Sequence, residues 1–268
     1  MRFVQIIAPE GRLELQNLRL PFFGSFDGFH FYTFVAANSI IVRKSKLQRF
    51  AELDTFTNVL QNFNFLNPVV VNHEKTVIDP RGKWNSEIFK NSNPIILELA
   101  CGKGEYTCEM AIANKAHNYI GVDVKGNRMH RGAKRALDEK IENAFFLRTD
   151  INIIATFFNP EEVSEIWITF PDPHLKKGKE QKRLTSERFL SYYKKILRPG
   201  AIINLKTDDP TLYEFTVQTV KEGNYKLLYA DDDIYSKPLP HPFLEIKTYY
   251  EKMHLAEQKT IKYVRFSV

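Results

Sequence analysis

From Asn93 to the C-terminus, short apolar runs alternate with segments of helical spacing, and no other feature narrows the possible folds as much. PIILELA (94–100), NYIGVD (118–123), AFFLRTD (144–150), SEIWITF (164–170) and AIINLKTD (201–208) read as strands. Between them, GEYTCEMAIAN (104–114), RMHRGAKRALDEK (128–140), SERFLSYYKKIL (186–197) and PTLYEFTVQTVKEG (210–223) read as helices. Pro199-Gly200 is expected to end the third helix, and Pro210 suits the first turn of the fourth. YKLLYAD (225–231) and TIKYVRFSV (260–268) are late strands. Near-continuous apolar strands must be covered on both faces, and strands joined by helices run parallel. The expected fold is therefore α/β, a doubly wound and mostly parallel sheet.

The chain has 268 residues, of which 43% are hydrophobic, enough for one large domain plus an extension. Three segments are expected: an N-terminal extension at 1–42, a basic segment at 43–92, and the α/β domain at 93–268. The extension is rich in phenylalanine without clear period. It reads equally as a packed appendage or as a stretch upstream of the functional start. The run RKSKLQRF that follows, with Arg43, Lys44, Lys46 and Arg49, is expected to act as a mobile arm. The two cysteines, Cys101 and Cys108, show neither a disulfide framework nor metal-ligand spacing, so reduced thiols in a cytoplasmic protein and no metal are expected. The longest apolar stretch, FHFYTFVAANSIIV (29–42), is too short and too polar for a membrane span. A formal net charge of +6, concentrated locally, points to a polyanionic partner. Monomer and homodimer both remain open.

The first strand of the α/β domain and its loop, LELACGKGEY (97–106), place Gly102 and Gly104 where a ligand can approach the backbone. The dinucleotide fingerprint fails, because Thr107 stands where a third glycine belongs. Instead Glu98 lies inside the strand, where a carboxylate suits a cationic group such as a sulfonium or an ammonium. The second strand ends in Asp123, placed to accept hydrogen bonds from ribose hydroxyls. Together these residues favour an adenosine-type cofactor. Asp150, after the third strand, reads equally as an adenine acceptor and as a helix N-cap.

The fourth strand changes character within WITFPDPHLKKGKEQKRL (167–184). A buried strand gives way to one acid, Asp172, between Pro171 and Pro173. Then follow Lys176, Lys177, Lys179, Lys182 and Arg183. With LELACGKGEY, GVDVKGNRMHRGAK and LKTDD, this stretch resembles the bacterial tRNA (guanine-N7)-methyltransferases over residues 43–268. The resemblance implies the Rossmann-like methyltransferase sheet with an antiparallel seventh strand, S-adenosylmethionine as cofactor, and a guanine of the tRNA variable loop as substrate. It implies Glu98, Asp123, Asp150 and Asp172 around the cofactor. It puts Lys176, Asp208 and the segment Thr248, Tyr249, Tyr250 and Glu251 at the substrate. Ala100 stands where the family usually has glycine; a positive φ there means a strained loop. His174 replaces an aromatic.

Guanine N7 carries a lone pair and no proton, so its methylation needs alignment rather than a general base. Asp172 and Asp208 are accordingly expected to recognise guanine and to stabilise its developing positive charge. The lysine run and Arg183 are expected to hold RNA phosphates. Lys125, Arg128, Arg131, Lys134 and Arg135 either extend that track or form a solvated helix face. Trp167 is expected in the core, and His117, His130, His241 and His254 at the surface or its boundary. Two rivals stand beside this reading. A methyltransferase for another acceptor is disfavoured because an N-P-P-Y-like tetrad is absent. A non-catalytic RNA-binding protein is disfavoured because Glu98, Asp123 and Asp172 are all present.

Overall fold

The computed structural model describes residues 4–7, 13–16 and 44–268, in two compact units divided between Arg43 and Lys44. In the first unit, β1 (Val4–Ile7) and β2 (Leu13–Gln16) pair antiparallel, with Val4 opposite Gln16. The remainder of the phenylalanine-rich segment, and Arg43, lie outside the described residues.

The second unit begins with α1 (Lys46–Leu53), β3 (Val59–Asn62), β4 (Val70–Val71) and β5 (Val77–Ile78). The alternating region follows as β6 (Ile95–Leu99), α2 (Glu105–Ala113), β7 (Asn118–Asp123), α3 (Gly126–Asp138), β8 (Ala144–Arg148) and β9 (Val163–Thr169). It continues with α4 (Glu187–Tyr193), β10 (Leu197–Thr207), α5 (Pro210–Glu222), β11 (Lys226–Asp231), α6 (Tyr249–Ala256) and β12 (Lys262–Ser267). One sheet collects these strands in the order β11-β12-β10-β9-β6-β7-β8-β3-β4-β5. From β10 across to β3 every neighbouring pair is parallel. β12 inserts antiparallel between β10 and β11, which is the expected antiparallel seventh strand.

Burial explains the pattern. Every residue of β6 and β7 is buried. Side chains alternate across a strand, so Ile95, Leu97 and Leu99 enter one core layer while Ile96 enters the other. The second layer holds Trp167, fully buried and ringed by Tyr106, Phe243 and Tyr263.

Three expectations change. Helix α4 stops at Tyr193, short of Pro199-Gly200, because Leu197 already pairs with Val163 as the start of β10. The proline and glycine sit in the irregularity between Leu197 and Ile202. The mobile arm is instead a capped helix as far as it is described. Ser45 accepts from the Gln48 amide, the Gln48 side chain accepts from the Ser45 amide, and Glu52 meets His130 of α3 at 2.8 Å. His130 is therefore buried between helices rather than at the surface.

Candidate active site

The C-terminal ends of β6, β7, β8 and β9 open into a cavity of about 550 Å³, walled by Glu98, Gly102, Asp123, Asp150 and Asp172 among others. A cavity at such strand ends is the usual ligand position in an open α/β sheet. A second hollow, about 760 Å³ and more open, lies among Ile96, Glu109, His117, Glu165 and His241, away from those strand ends.

Glu98 forms the floor and is 2% exposed. Its carboxylate accepts from the Thr107 amide at 2.7 Å and from the hydroxyls of Thr107 and Thr169. Burial pushes its pKa up to about 7 against the pull of these donors. A cation in the cavity would stabilise the ionised form.

The loop after β6 runs through left-handed backbone at Ala100 (φ 59°), Gly102 (φ 55°) and Gly104 (φ 66°). At Gly104 a Cβ would come within 2.5 Å of Phe146 and 3.1 Å of the Gly132 backbone, so only glycine lets the loop seat against α3. Ala100 has the positive φ that marks strain in a residue with a Cβ. The loop is held in place by the Cys101 amide donating to Val122 O at 3.0 Å and the Gly104 amide to Cys101 O at 2.8 Å. Asp123, at the end of β7, ties two loops together. It accepts from the Gly102 amide at 2.9 Å and from the Lys125 amide at 2.7 Å. Asp150 caps the turn Ile151–Thr156 by accepting from the Asn152 amide, as one of its two readings expects, and it also lines the cavity.

The segment after β9 is organised differently. The Asp172 side chain is 73% exposed and accepts from the His174 amide at 2.9 Å. Phe170 (φ 49°) and His174 (φ 45°), on either side, are both left-handed. Such backbone persists only where surroundings over-determine it. Here the Phe170 amide donates to Lys206 O at 2.8 Å, and Arg183 Nε donates to Pro173 O at 3.0 Å. Arg183 is 5% exposed, with its guanidinium over the Phe215 ring. The expectation that Arg183 holds RNA phosphate is therefore corrected: it props the acid-bearing loop from inside. Lys176 and Lys177 are exposed beyond the cavity wall, and Lys182 is on it. Of the α3 cluster, Lys125 and Arg128 reach the wall, whereas Lys134 pairs with Asp138 and Arg135 with Glu109 and Glu139.

Asp208 lies off the wall. It faces His254 at 3.4 Å and Lys259 at 3.7 Å, and the His254 ring stacks on Phe170 with centroids 6.0 Å apart. Thr248 and Tyr250 line the cavity, Tyr249 stands beside it, and Thr248 caps α6. Glu251 does not face the cavity as expected. It is fully buried, with its carboxylate taken by Lys206 Nζ at 2.8 Å and the Tyr235 hydroxyl at 2.6 Å. Burial lowers the Lys206 pKa to about 8 despite that partner. Sequence reasoning missed Lys206, Thr107 and Thr169. The threonines stand inside recognised motifs, but their direction depends on the sheet, and Lys206 lies within an expected strand with no signal that it would be buried.

A family profile described as "Putative methyltransferase" matches residues 92–264. The tRNA (guanine-N(7)-)-methyltransferase of Christiangramia forsetii is 43% identical over 84% of this chain and 98% of its own length. That of Porphyromonas gingivalis is 44% identical over 81% and 86%, and that of Bacillus subtilis 33% over 65% and 80%. Among solved structures, the 16S rRNA methyltransferase KamB aligns over 72% of this chain and 96% of its own, with a TM-score of 0.54 at 15% identity, a likeness of fold. The first two relatives are more than 40% identical over more than four fifths of this chain and most of their own length, and on that ground the chain belongs to the tRNA (guanine-N(7)-)-methyltransferase family.

Proposed function

We propose that this protein transfers the methyl group of S-adenosylmethionine to N7 of a guanine in the tRNA variable loop, in the cytoplasm, giving 7-methylguanine. One observation carries the reading. Glu98, Gly102, Asp123, Asp150 and Asp172, distant in sequence, line one cavity at the strand ends of a chain with these relatives. We assign the chemistry to residues 93–268, with 44–92 completing the sheet edge and 1–42 as an extension.

The donor set fits the cofactor. A carboxylate keeps acceptor capacity beyond the backbone amides that Asp123 and Asp150 already serve, so both can also accept from ribose and adenine. Glu98, buried behind them, answers the cofactor's positive charge. Bound there, S-adenosylmethionine supplies an electrophilic methyl on a sulfonium.

The remaining tasks belong to the chain. Asp172, exposed at the rim, accepts from guanine N1–H and the exocyclic amine and faces the positive charge that grows on the ring. No residue abstracts a proton, because N7 carries none. Lys176 and Lys177 hold flanking phosphates, and the target base leaves its stack to reach the cavity. Asp208 acts one step removed, through His254 and Phe170. Thr248 and Tyr250 wall the guanine side, and Glu251 anchors their segment from within.

The deciding experiment is transfer of labelled methyl from S-adenosylmethionine to unmodified tRNA, followed by mapping of the modified base. Label at N7 of a variable-loop guanine is the expected result. Cofactor binding without label on tRNA sends the search to other acceptors. Absence of cofactor binding leaves an RNA-binding protein.

A further inference from the structure

The glycine-rich loop and the segment around Tyr249 wall the same cavity, and they touch. Lys103 Nζ lies 4.4 Å from the Tyr249 ring centroid and 4.7 Å from that of Tyr250. The two rings meet edge to face with centroids 5.6 Å apart. Beside them the Tyr249 amide donates to Glu105 Oε2 at 2.8 Å. Both residues keep about half their surface open, 54% for Tyr249 and 46% for Tyr250. The segment is thus held at two points of different character. Glu251 is fixed in the interior by Lys206, whereas the rings of Tyr249 and Tyr250, on the first turn of α6, meet Lys103 near the surface.

Asp123 connects this contact to the cofactor side. The carboxylate placed for ribose accepts from the Gly102 amide, next to Lys103. A ligand that engages Asp123 therefore acts directly on the backbone that carries the lysine. Cation–π contacts at partly exposed sites are weak enough to be broken and remade during a binding cycle.

We propose that Lys103, assisted by Glu105, is a positioning residue that couples the two halves of the site. Cofactor occupancy sets the glycine loop, and the loop sets the two tyrosine rings where guanine is received. This rests on the methyltransferase reading above. Linkage then demands reciprocity: cofactor tightens tRNA as much as tRNA tightens cofactor.

The test measures tRNA affinity with and without saturating S-adenosylhomocysteine, in the full-length wild type and in variants. For the wild type, this demethylated cofactor product should tighten tRNA binding by about fivefold or more. In Lys103→Met that ratio should fall to about one, while Lys103→Arg, which keeps a cation over the rings, should retain most of it. Glu105→Ala, which removes the acceptor for the Tyr249 amide, should lower the ratio partway. A merely structural lysine would change both affinities together and leave the ratio intact. An unchanged ratio in Lys103→Met, or a wild-type ratio of one, overturns the proposal. Should Lys103→Met fail to fold, as judged by its thermal transition, Glu105→Ala decides, and an unchanged ratio there overturns it equally. Failure of the wild type to methylate tRNA at all would overturn the functional reading instead.

Discussion

The two halves of the cavity are built on opposite plans. On the proposed cofactor side, Glu98, Asp123 and Asp150 sit at or just beyond strand ends, well inside the cavity, and their oxygens are met by backbone amides and threonine hydroxyls. On the proposed guanine side, Asp172 is exposed between two left-handed residues and accepts from the His174 amide, while Arg183, Lys206 and the His254 ring hold the backbone and side chains flanking it. A cofactor of constant shape is served by rigid strand ends. The proposed reception of an RNA base is suited by an open rim, whose flanking residues are braced from the interior.

That contrast yields graded tests. The largest effect should come from Lys206→Met. It leaves Glu251 buried without its cation and removes donors to Leu244 O and Ile246 O, at a cost of about 3–5 kcal/mol in denaturant unfolding. A loss below about 1 kcal/mol would mean the guanine side is not anchored from within. Asp172→Ala should lower kcat by about 10²–10³ with cofactor affinity little changed. Equal losses in both would merge the two halves.

The pH dependence sharpens the cofactor side. Glu98 titrates near 7 without ligand, and a cationic ligand favours its ionised form. S-adenosylmethionine affinity should therefore be full above pH 7 and weaken as pH falls below it, by at most about tenfold per pH unit. Glu98→Gln should flatten the profile in calorimetry, and an identical profile would remove Glu98 from the charge argument. For folding alone the sign is opposite: a buried acid with a raised pKa costs stability as pH rises from 4.5 through about 7.

Smaller effects come last. Lys176→Ala with Lys177→Ala should weaken tRNA binding and reduce the slope of log affinity against log salt by about 1–2 units. An unchanged slope moves the RNA track elsewhere. Ala100→Gly should relieve left-handed strain and stabilise the protein by about 1 kcal/mol; destabilisation would show the alanine methyl to be packed.

The legibility of the site follows the same division. The positions of Asp123 and Asp150 on the cavity wall are legible because a strand end places an acid wherever strand and turn are recognised. Arg183 was misread because a cationic run looks uniform in one dimension, while burial separates Arg183 from Lys176 and Lys177. Glu251 was misread because its motif lies next to the cavity but its side chain points into the interior. Helix α1 was overlooked although Ser45 and Gln48 carry a capping-box spacing, since its lysines and arginines dominated the pattern.

What the sequence determined by itself is what local periodicity encodes. It set the alternation of β6 to β12 with their helices, the acids at strand ends, the glycines at positive φ and Trp167 in the core. The tertiary structure alone decided where β3 joins the sheet, which cations are buried, how Asp208 is screened by His254, and that Lys103 reaches Tyr249 and Tyr250. The reason is physical. Strand and helix periods are written in neighbouring residues, whereas burial and side-chain pairing depend on which distant segments the folded sheet brings together.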